Sequence, residues 1–289
     1  MNYLFHVLIM ICIYLILSLS INLLVGYIGL LSLCHAAFYA IGAYTTAILT
    51  VEAGANFYLT LVLGFFLSIL LSLVIAVPSL RLKGDYFLLA SLGFQIIMFN
   101  ILNNWVKLTK GPYGIAGIPK PNLFGILVNS QVLFFILALL ISGVVLLFMN
   151  FTYTSPFGRV LKAIREDEIL ILSLGRNTFL LKISAFALSA GIASIAGSMY
   201  SVYATYIDPT CFTLDESIFI LSIILVGGSG NFRGPIIGTI FMILLPEVLR
   251  FIGIPDTIAP NVRQMIYGAI LVILMIKRPQ GIAGEYKME

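Results

Sequence analysis

Two histidines, three cysteines and twelve carboxylates are the groups from which this chain could most readily build metal, acid–base or triad chemistry. Their spacing assembles none of it. Neither His6 nor His35 has a carboxylate pair within a helical turn, so a metal site, a catalytic triad or a general acid/base pair lacks its constellation. Cys12, Cys34 and Cys211 are odd in number, and two lie inside apolar runs, which suits small core hydrophobes rather than a disulfide framework. No lysine follows a glycine, so the phosphate-binding pattern GxxxxGK with Ser or Thr is absent and the chain is not itself an ATPase.

The densest chemistry is charge, between about 155 and 182. Arg159, Lys162, Arg165, Glu166, Asp167 and Glu168 put three positive and three negative charges within ten residues, and Arg176 and Lys182 follow. Ser155-Pro156 reads as an N-cap with Pro at the first helical position, the run from Phe157 to Leu174 as one helix, and Gly175 as its C-terminal cap. Val160, Ile164, Ile171 and Leu174 line one face and the charges the other. Such a helix wants the membrane surface or a groove on a soluble partner, and the mixed signs favour a protein over anionic lipid.

Polar side chains inside the apolar runs are few: Asn22, His35, Tyr39, Tyr44, Gln95 and Asn100, with several Ser and Thr. Asp, Glu, Lys and Arg are missing from the depth of the first six apolar segments. A self-powered proton- or sodium-coupled transporter usually keeps a carboxylate or charge pair there, so the energy should come from elsewhere. His35 reads either as a pathway residue or as a membrane histidine bonded to a neighbouring helix. Small residues recur every four positions at Ala36/Ala40, Ala43/Ala47, Ala190/Ser194/Ser198 and Ala193/Gly197/Ser201, which predicts close helix packing in lipid.

The elements that must carry these residues follow from composition. The chain has 289 residues, 61% hydrophobic and 10% charged, which excludes a water-soluble globule. Continuous rather than alternating apolar windows predict an all-α, polytopic helix bundle and not an outer-membrane barrel. They run about 4–25, 30–50, 57–77, 86–102, 132–149 and 183–203, with shorter ones near 214–229, 234–250 and 262–276: about nine crossings, within a range of about eight to ten. The first window lacks a basic leader and exceeds a signal core, so it reads as a retained helix.

Basic residues set the orientation. Eleven (Arg81, Lys83, Arg159, Lys162, Arg165, Arg176, Lys182, Arg233, Lys277, Arg278, Lys287) fall on one side and five (Lys107, Lys110, Lys120, Arg250, Arg263) on the other, which predicts N-out and C-in. The excess of +4 belongs to cytoplasmic loops and is no sign of nucleic acid. The segment about 103–131, dense in Gly and Pro from Gly111 onward, is expected as an ordered outer loop. The stretch 204–217, with Asp208, Asp215 and Glu216, reads as a second translocated loop, and Gly227–Asn231 as a tight cytoplasmic turn. Arg81-Leu82-Lys83-Gly84 and Asn231-Phe232-Arg233-Gly234, each before a helix, hint at an internal repeat.

Several strings then resemble a known family in order along nearly the whole chain. They are Gly26-Tyr27-Ile28-Gly29 with Ser32 to Phe38 and Gly42-Ala43-Tyr44; Arg81-Leu82-Lys83-Gly84; Thr109-Lys110-Gly111-Pro112 with Gly114; the Arg159 to Gly175 segment; Gly227-Gly228 with Gly230 and Gly234-Pro235; and Arg278-Pro279-Gln280-Gly281. Together they resemble permease subunits of branched-chain amino acid ABC importers, with the Arg81 to Tyr86 region closer to the LivM type than to LivH. Cys34 stands where relatives often carry Gly.

The resemblance implies one permease domain over 1–289 in a prokaryotic plasma (inner) membrane. It implies a heterodimer with a second, LivH-like permease, two cytoplasmic ATP-binding subunits that use ATP and Mg, and an extracytoplasmic solute-binding protein. No cofactor belongs to this chain itself. Arg159, Lys162, Arg165, Glu166, Asp167, Glu168 and Gly175 would form the ATPase-coupling interface, with ATP binding pulling the helix and flipping the bundle between inward- and outward-facing states. Substrate would pass His35, Tyr39, Gln95 and Asn100, and the 103–131 loop would meet the binding protein. Similar permeases import urea and other small solutes, and a stand-alone channel is the alternative from another class.

Overall fold

The computed structural model describes residues 2–81, 84–123, 126–128 and 130–250, together with 265, 266, 268, 269, 272 and 281–283. The window 262–276 as a crossing, Leu82 and Lys83 of the repeat motif, Arg263, and the tail motif with Lys277, Arg278 and Lys287 lie outside the described residues.

The chain is built from helices in the order α1 (Asn2–Asn22), α2 (His35–Glu52), α3 (Phe57–Ser79), α4 (Asp85–Asn104), the short α5 (Val106–Thr109), α6 (Gln131–Thr154), α7 (Pro156–Glu166), α8 (Glu168–Ser173), α9 (Thr178–Ala204), α10 (Leu214–Gly227) and α11 (Arg233–Arg250). Among the described residues, six helical segments are long and apolar enough to cross a membrane: Tyr3–Ile28, Phe57–Ser79, Tyr86–Asn104, Gln131–Thr154, Thr178–Ala204 and Pro209–Gly227. The window 30–50 becomes α2, which starts late because residues 29–34 leave the helix, and the window 234–250 becomes α11.

Helix α1 outruns its expected end. Its last turns, Leu23–Ile28, relax into a buried π-helix, which Gly29 stops in the left-handed region (φ 79°) with its N–H on the carbonyl of Leu24. Single-turn π segments inside α-helices frequently mark functional positions.

The centre of the bundle is the α2–α9 pair, with α1 and α3 packed around it. The rows of small residues explain the closeness: a Cβ on Gly42 would strike the carbonyl of Ser194, and one on Gly197 the carbonyl of Tyr39. Where apolar lipid removes the hydrophobic drive, such backbone approach and interhelical hydrogen bonds hold helices together. Ser198 Oγ makes one of these to the carbonyl of Gly42 at 3.3 Å. Helices α3 and α6 turn large side chains outward, including Phe66, Leu70 and Val74 on one and Val144, Leu147 and Phe151 on the other, as expected for a face toward lipid or another membrane subunit.

At one end the segment after α4 is ordered, as its turn formers predict. Thr109 Oγ1 donates to the carbonyl of Leu102 at 2.6 Å, and Lys110 pairs with Glu52 at 3.8 Å. Strand β1 (Ile115–Ala116) pairs antiparallel with β4 (Tyr206–Ile207), and β2 (Asn122–Leu123) with β3 (Ile126–Leu127). The β1–β4 ribbon therefore joins the 103–131 segment to the chain leaving α9, placing both on the same side of the bundle. The reading of 204–217 as a simple loop needs correction: Pro209–Phe212 forms a 3-10 turn and α10 already begins at Leu214, with Asp215 and Glu216 in its first turn.

Candidate substrate path and docking face

At the other end, the expected caps appear but enclose two helices instead of one. Ser155 Oγ accepts from the N–H of Gly158 at 3.3 Å, with Pro156 at N1. Gly175, at φ 76°, closes α8: its own N–H bonds Leu172 and that of Arg176 bonds Ile171, a Schellman pattern. Between them the helix breaks at Asp167, whose extended backbone and Oδ1 cap α8 by accepting from Ile169 N at 2.9 Å and Leu170 N at 3.0 Å.

The apolar face is built from Leu161, Ile164 and Ile171, all buried, whereas Leu174 is exposed. Of the charges expected to dock a partner, Arg159 and Glu166 are exposed. Glu168 pairs within the segment, to Lys182 Nζ at 2.7 Å, and Asp167 is spent on its cap. Arg165 and Lys162 turn back onto the bundle. Arg165 Nη1 donates to the carbonyl of Gly26, and Lys162 Nζ lies 5.0 Å from the centre of the Tyr27 ring, a cation–π contact.

From that π turn a polar chain runs inward. Tyr27 stacks on Tyr153 with centroids 4.3 Å apart. The Tyr153 hydroxyl donates to the carbonyl of Leu19 at 2.7 Å and accepts from Asn22 Nδ2 at 3.3 Å. Asn22 also donates to the carbonyl of Asn231 at 3.0 Å and accepts from Gly230 N at 3.2 Å. The glycine turn expected at 227–231 is thus present, and it is fastened both to α1 and to the Ile282–Ala283 backbone, whose N–H groups bond Val226 and Gly227. Tyr27, Tyr153 and Asn22 formed no part of the expected docking set. Nothing in an apolar run announces a π turn.

A second polar cluster lies near mid-depth. His35 Nε2 is 3.0 Å from Ser189 Oγ, and that hydroxyl donates to the carbonyl of Ser20 at 2.6 Å. Because the serine hydrogen is committed, Nε2 carries the histidine proton, leaving Nδ1 as an acceptor, which is buried without a hydrogen-bond partner. One residue on, Ala36 N donates to Ser217 Oγ at 3.0 Å, Ser217 Oγ donates to Gln95 Oε1 at 3.3 Å, and Gln95 Nε2 donates to the carbonyl of Phe212 at 2.9 Å. Tyr39 is buried against Phe212 (5.1 Å) and Tyr200 (5.5 Å). The structure thus gathers His35, Tyr39 and Gln95 where α2, α4, α9 and α10 meet. It leaves out Asn100, which is exposed and donates to the carbonyl of Ile96 on its own helix at 2.9 Å.

Against known proteins, residues 3–275 match the family described as branched-chain amino acid transport system / permease component. The chain belongs to this family. It is 35% identical to the LivM high-affinity branched-chain amino acid permease of Salmonella typhimurium, over 93% of this chain and 67% of that protein. The LivM of Escherichia coli K12 is 34% identical over the same shares. The LivH permease of Salmonella typhimurium is 23% identical over 96% of this chain and 92% of its own length. The LivM resemblance read from the Arg81 to Tyr86 region agrees with these identities. No solved structure matches the chain.

The permease is accordingly a multi-pass membrane protein of a transport family, and its relatives are transport subunits rather than enzymes. Among the described residues no group of three or more metal-ligating side chains is found. One residue of the mid-depth cluster was assigned elsewhere by the sequence: Glu216, placed in a loop, sits in the first turn of α10 and accepts from Tyr14 Oη at 2.6 Å. Tyr14 lies near the middle of the Tyr3–Ile28 span. The expected lack of carboxylates at membrane depth was drawn for the first six apolar segments and does not extend to α10, whose Glu216 lies within the span Pro209–Gly227.

Proposed function

We propose that this chain is the LivM-type half of an ATP-driven importer that passes branched-chain amino acids across a prokaryotic plasma membrane. It works as one permease domain beside a second, LivH-like permease, with two cytoplasmic ATP-binding subunits that consume ATP and Mg and an outer solute-binding protein. The observation that carries the reading is a family match over almost all the described chain together with LivM identity of 35%. About nine crossings, N-out and C-in, remain the preferred topology. In support, basic side chains from separate segments converge at one end of α9, with Arg81 over the Phe179 ring at 5.6 Å and α7 on the π turn, while the ribbon of 103–131 lies at the other.

In this reading the ATP-binding subunits grip the α7–α8 elbow at Arg159 and Glu166. Lys162 and Arg165 pass the movement to the π turn of α1, and through Tyr153 and Asn22 to the 227–231 turn. Gly175 and Asp167 fix the elbow's shape. Substrate delivered to the 103–131 face crosses between α2, α4 and α10, past His35, Tyr39 and Gln95.

The test is affinity purification from native membranes in mild detergent, with mass spectrometry of the co-purifying chains, followed by uptake of leucine, isoleucine, valine and urea in proteoliposomes. Recovery of two ATP-binding subunits and a second permease, with ATP-dependent uptake of the branched-chain amino acids, is expected. A chain that purifies alone and conducts solute without ATP would sink the importer reading. Uptake of urea in place of amino acids would overturn the substrate.

A further inference from the structure

Glu216 is a part-buried carboxylate in the first turn of α10, inside the apolar span Pro209–Gly227, where an ionisable group is costly and is usually kept for function. Its surroundings are acceptor-rich and aromatic. Tyr14 donates to it at 2.6 Å, and Phe212, in the turn just before α10, stands edge-on to the rings of Tyr39 and Tyr200, with centroids 5.1 Å and 6.2 Å away. Ser217, the next residue, ties this turn of α10 to the start of α2, where the buried Nδ1 of His35 offers a lone pair that no protein donor takes. The described residues bring no Lys or Arg side chain to Glu216 in a salt bridge.

The unmet need of such a cluster is therefore a small donor-rich cation. An anionic oxygen, with the orphan imidazole acceptor of His35 on the helix that Ser217 ties to this turn, suits a primary ammonium group. A neutral solute such as urea would leave the carboxylate uncompensated.

We propose that Glu216, held by Tyr14 beside the aromatic cluster of Phe212, Tyr39 and Tyr200, binds the α-ammonium group of the transported amino acid. The proposal rests on the importer reading above and deepens it, because it makes an ammonium-bearing solute, and not merely a small apolar one, the substrate class of this path. In the unloaded state Tyr14 holds the carboxylate. The arriving ammonium takes a second carboxylate lone pair, so the two opposite charges pair during passage.

The experiment uses the whole complex in proteoliposomes with its binding protein, and measures leucine imported per ATP hydrolysed for wild type, Glu216→Gln, Glu216→Asp and Tyr14→Phe. Glu216→Gln keeps an acceptor for Tyr14 and the side-chain shape while removing the charge. It is expected to retain ATP hydrolysis stimulated by loaded binding protein and to lose leucine per ATP by about tenfold, the scale of a charge-assisted hydrogen bond. Glu216→Asp should recover part of the ratio, and Tyr14→Phe should disturb it least. An unchanged ratio in Glu216→Gln overturns the proposal. So does equal loss of transport and ATP hydrolysis in both Glu216 variants, since that is what a purely structural carboxylate gives. If the wild-type complex itself hydrolyses ATP but imports urea and no amino acid, the importer's substrate reading has failed and the role of Glu216 falls with it, whereas normal leucine import by wild type with an unchanged ratio in Glu216→Gln removes the role of Glu216 alone.

Discussion

The Arg165 guanidinium donates to the carbonyl oxygen of Gly26, and its methylenes pack over Gly29, where an added Cβ would come within 3.0 Å of Arg165 Cγ. A charge that belongs by sequence to a partner-docking helix thus serves as the clamp between that helix and the π turn of α1. The carbonyls of a π turn near a helix end need donors, and Arg supplies several in a fixed fork.

This relationship separates two arginines that sequence treats alike. If Arg165 were only a docking charge, Arg165→Glu would uncouple uptake from ATP hydrolysis with membrane abundance unchanged. The geometry changes that expectation, because a carboxylate at Arg165 would face a carbonyl, so abundance should fall too. Arg165→Met should cost about 1.5–3 kcal/mol, the worth of a charged hydrogen bond, read as a lower melting temperature in detergent. Arg159→Glu, on an exposed residue, should leave melting unchanged and reduce recovery of the ATP-binding subunits. Normal recovery with Arg159→Glu would remove that residue from the docking face.

The same alanine substitution should act oppositely at two pairs of glycines. At Gly42 and Gly197 a Cβ meets backbone carbonyls across the α2–α9 crossing, whereas at Gly93 and Gly143 it meets nothing within 4 Å. Gly42→Ala and Gly197→Ala must force the central helices apart, and the amount of protein in membranes should drop sharply. Gly93→Ala and Gly143→Ala relieve a helix of its glycine and should be neutral or stabilising by up to about 1 kcal/mol. Quantitative immunoblots of membrane fractions and melting curves check both arms, and equal tolerance at all four sites would refute the close crossing.

These cases show what the chain declares in one dimension. Small residues every four positions, Ser155 before Pro156, and Gly175 after an apolar run all carry local signals that tertiary context did not override. Asp167 carried an ambiguous one, since a carboxylate in a helical run serves equally as a surface residue or as the cap of a second helix. Asn100 was misplaced because polarity says nothing about azimuth: it shares the exposed face of α4 with Ile96 and Ile97. Glu216 was missed because a charge at the edge of an apolar window reads as loop. Its partner, Tyr14, lies some two hundred residues away in sequence, at a separation of 202.

The elbow at Asp167 gives the last test, because capping and docking make different demands on the same side chain. A cap needs only an oxygen that accepts from Ile169 N and Leu170 N, and Asn serves there nearly as well as Asp. Docking on a partner cation would need the charge. Asp167→Asn should therefore keep uptake within about twofold of wild type if the cap is the whole role. Asp167→Ala should cost about 1 kcal/mol of local stability and loosen α8 together with the Lys182–Glu168 pair that begins at its first residue. Hydrogen exchange of residues 168–173 reads the cap directly, with faster exchange expected in Asp167→Ala and not in Asp167→Asn. Loss of uptake in Asp167→Asn with protection intact would return the Asp167 charge to the coupling surface.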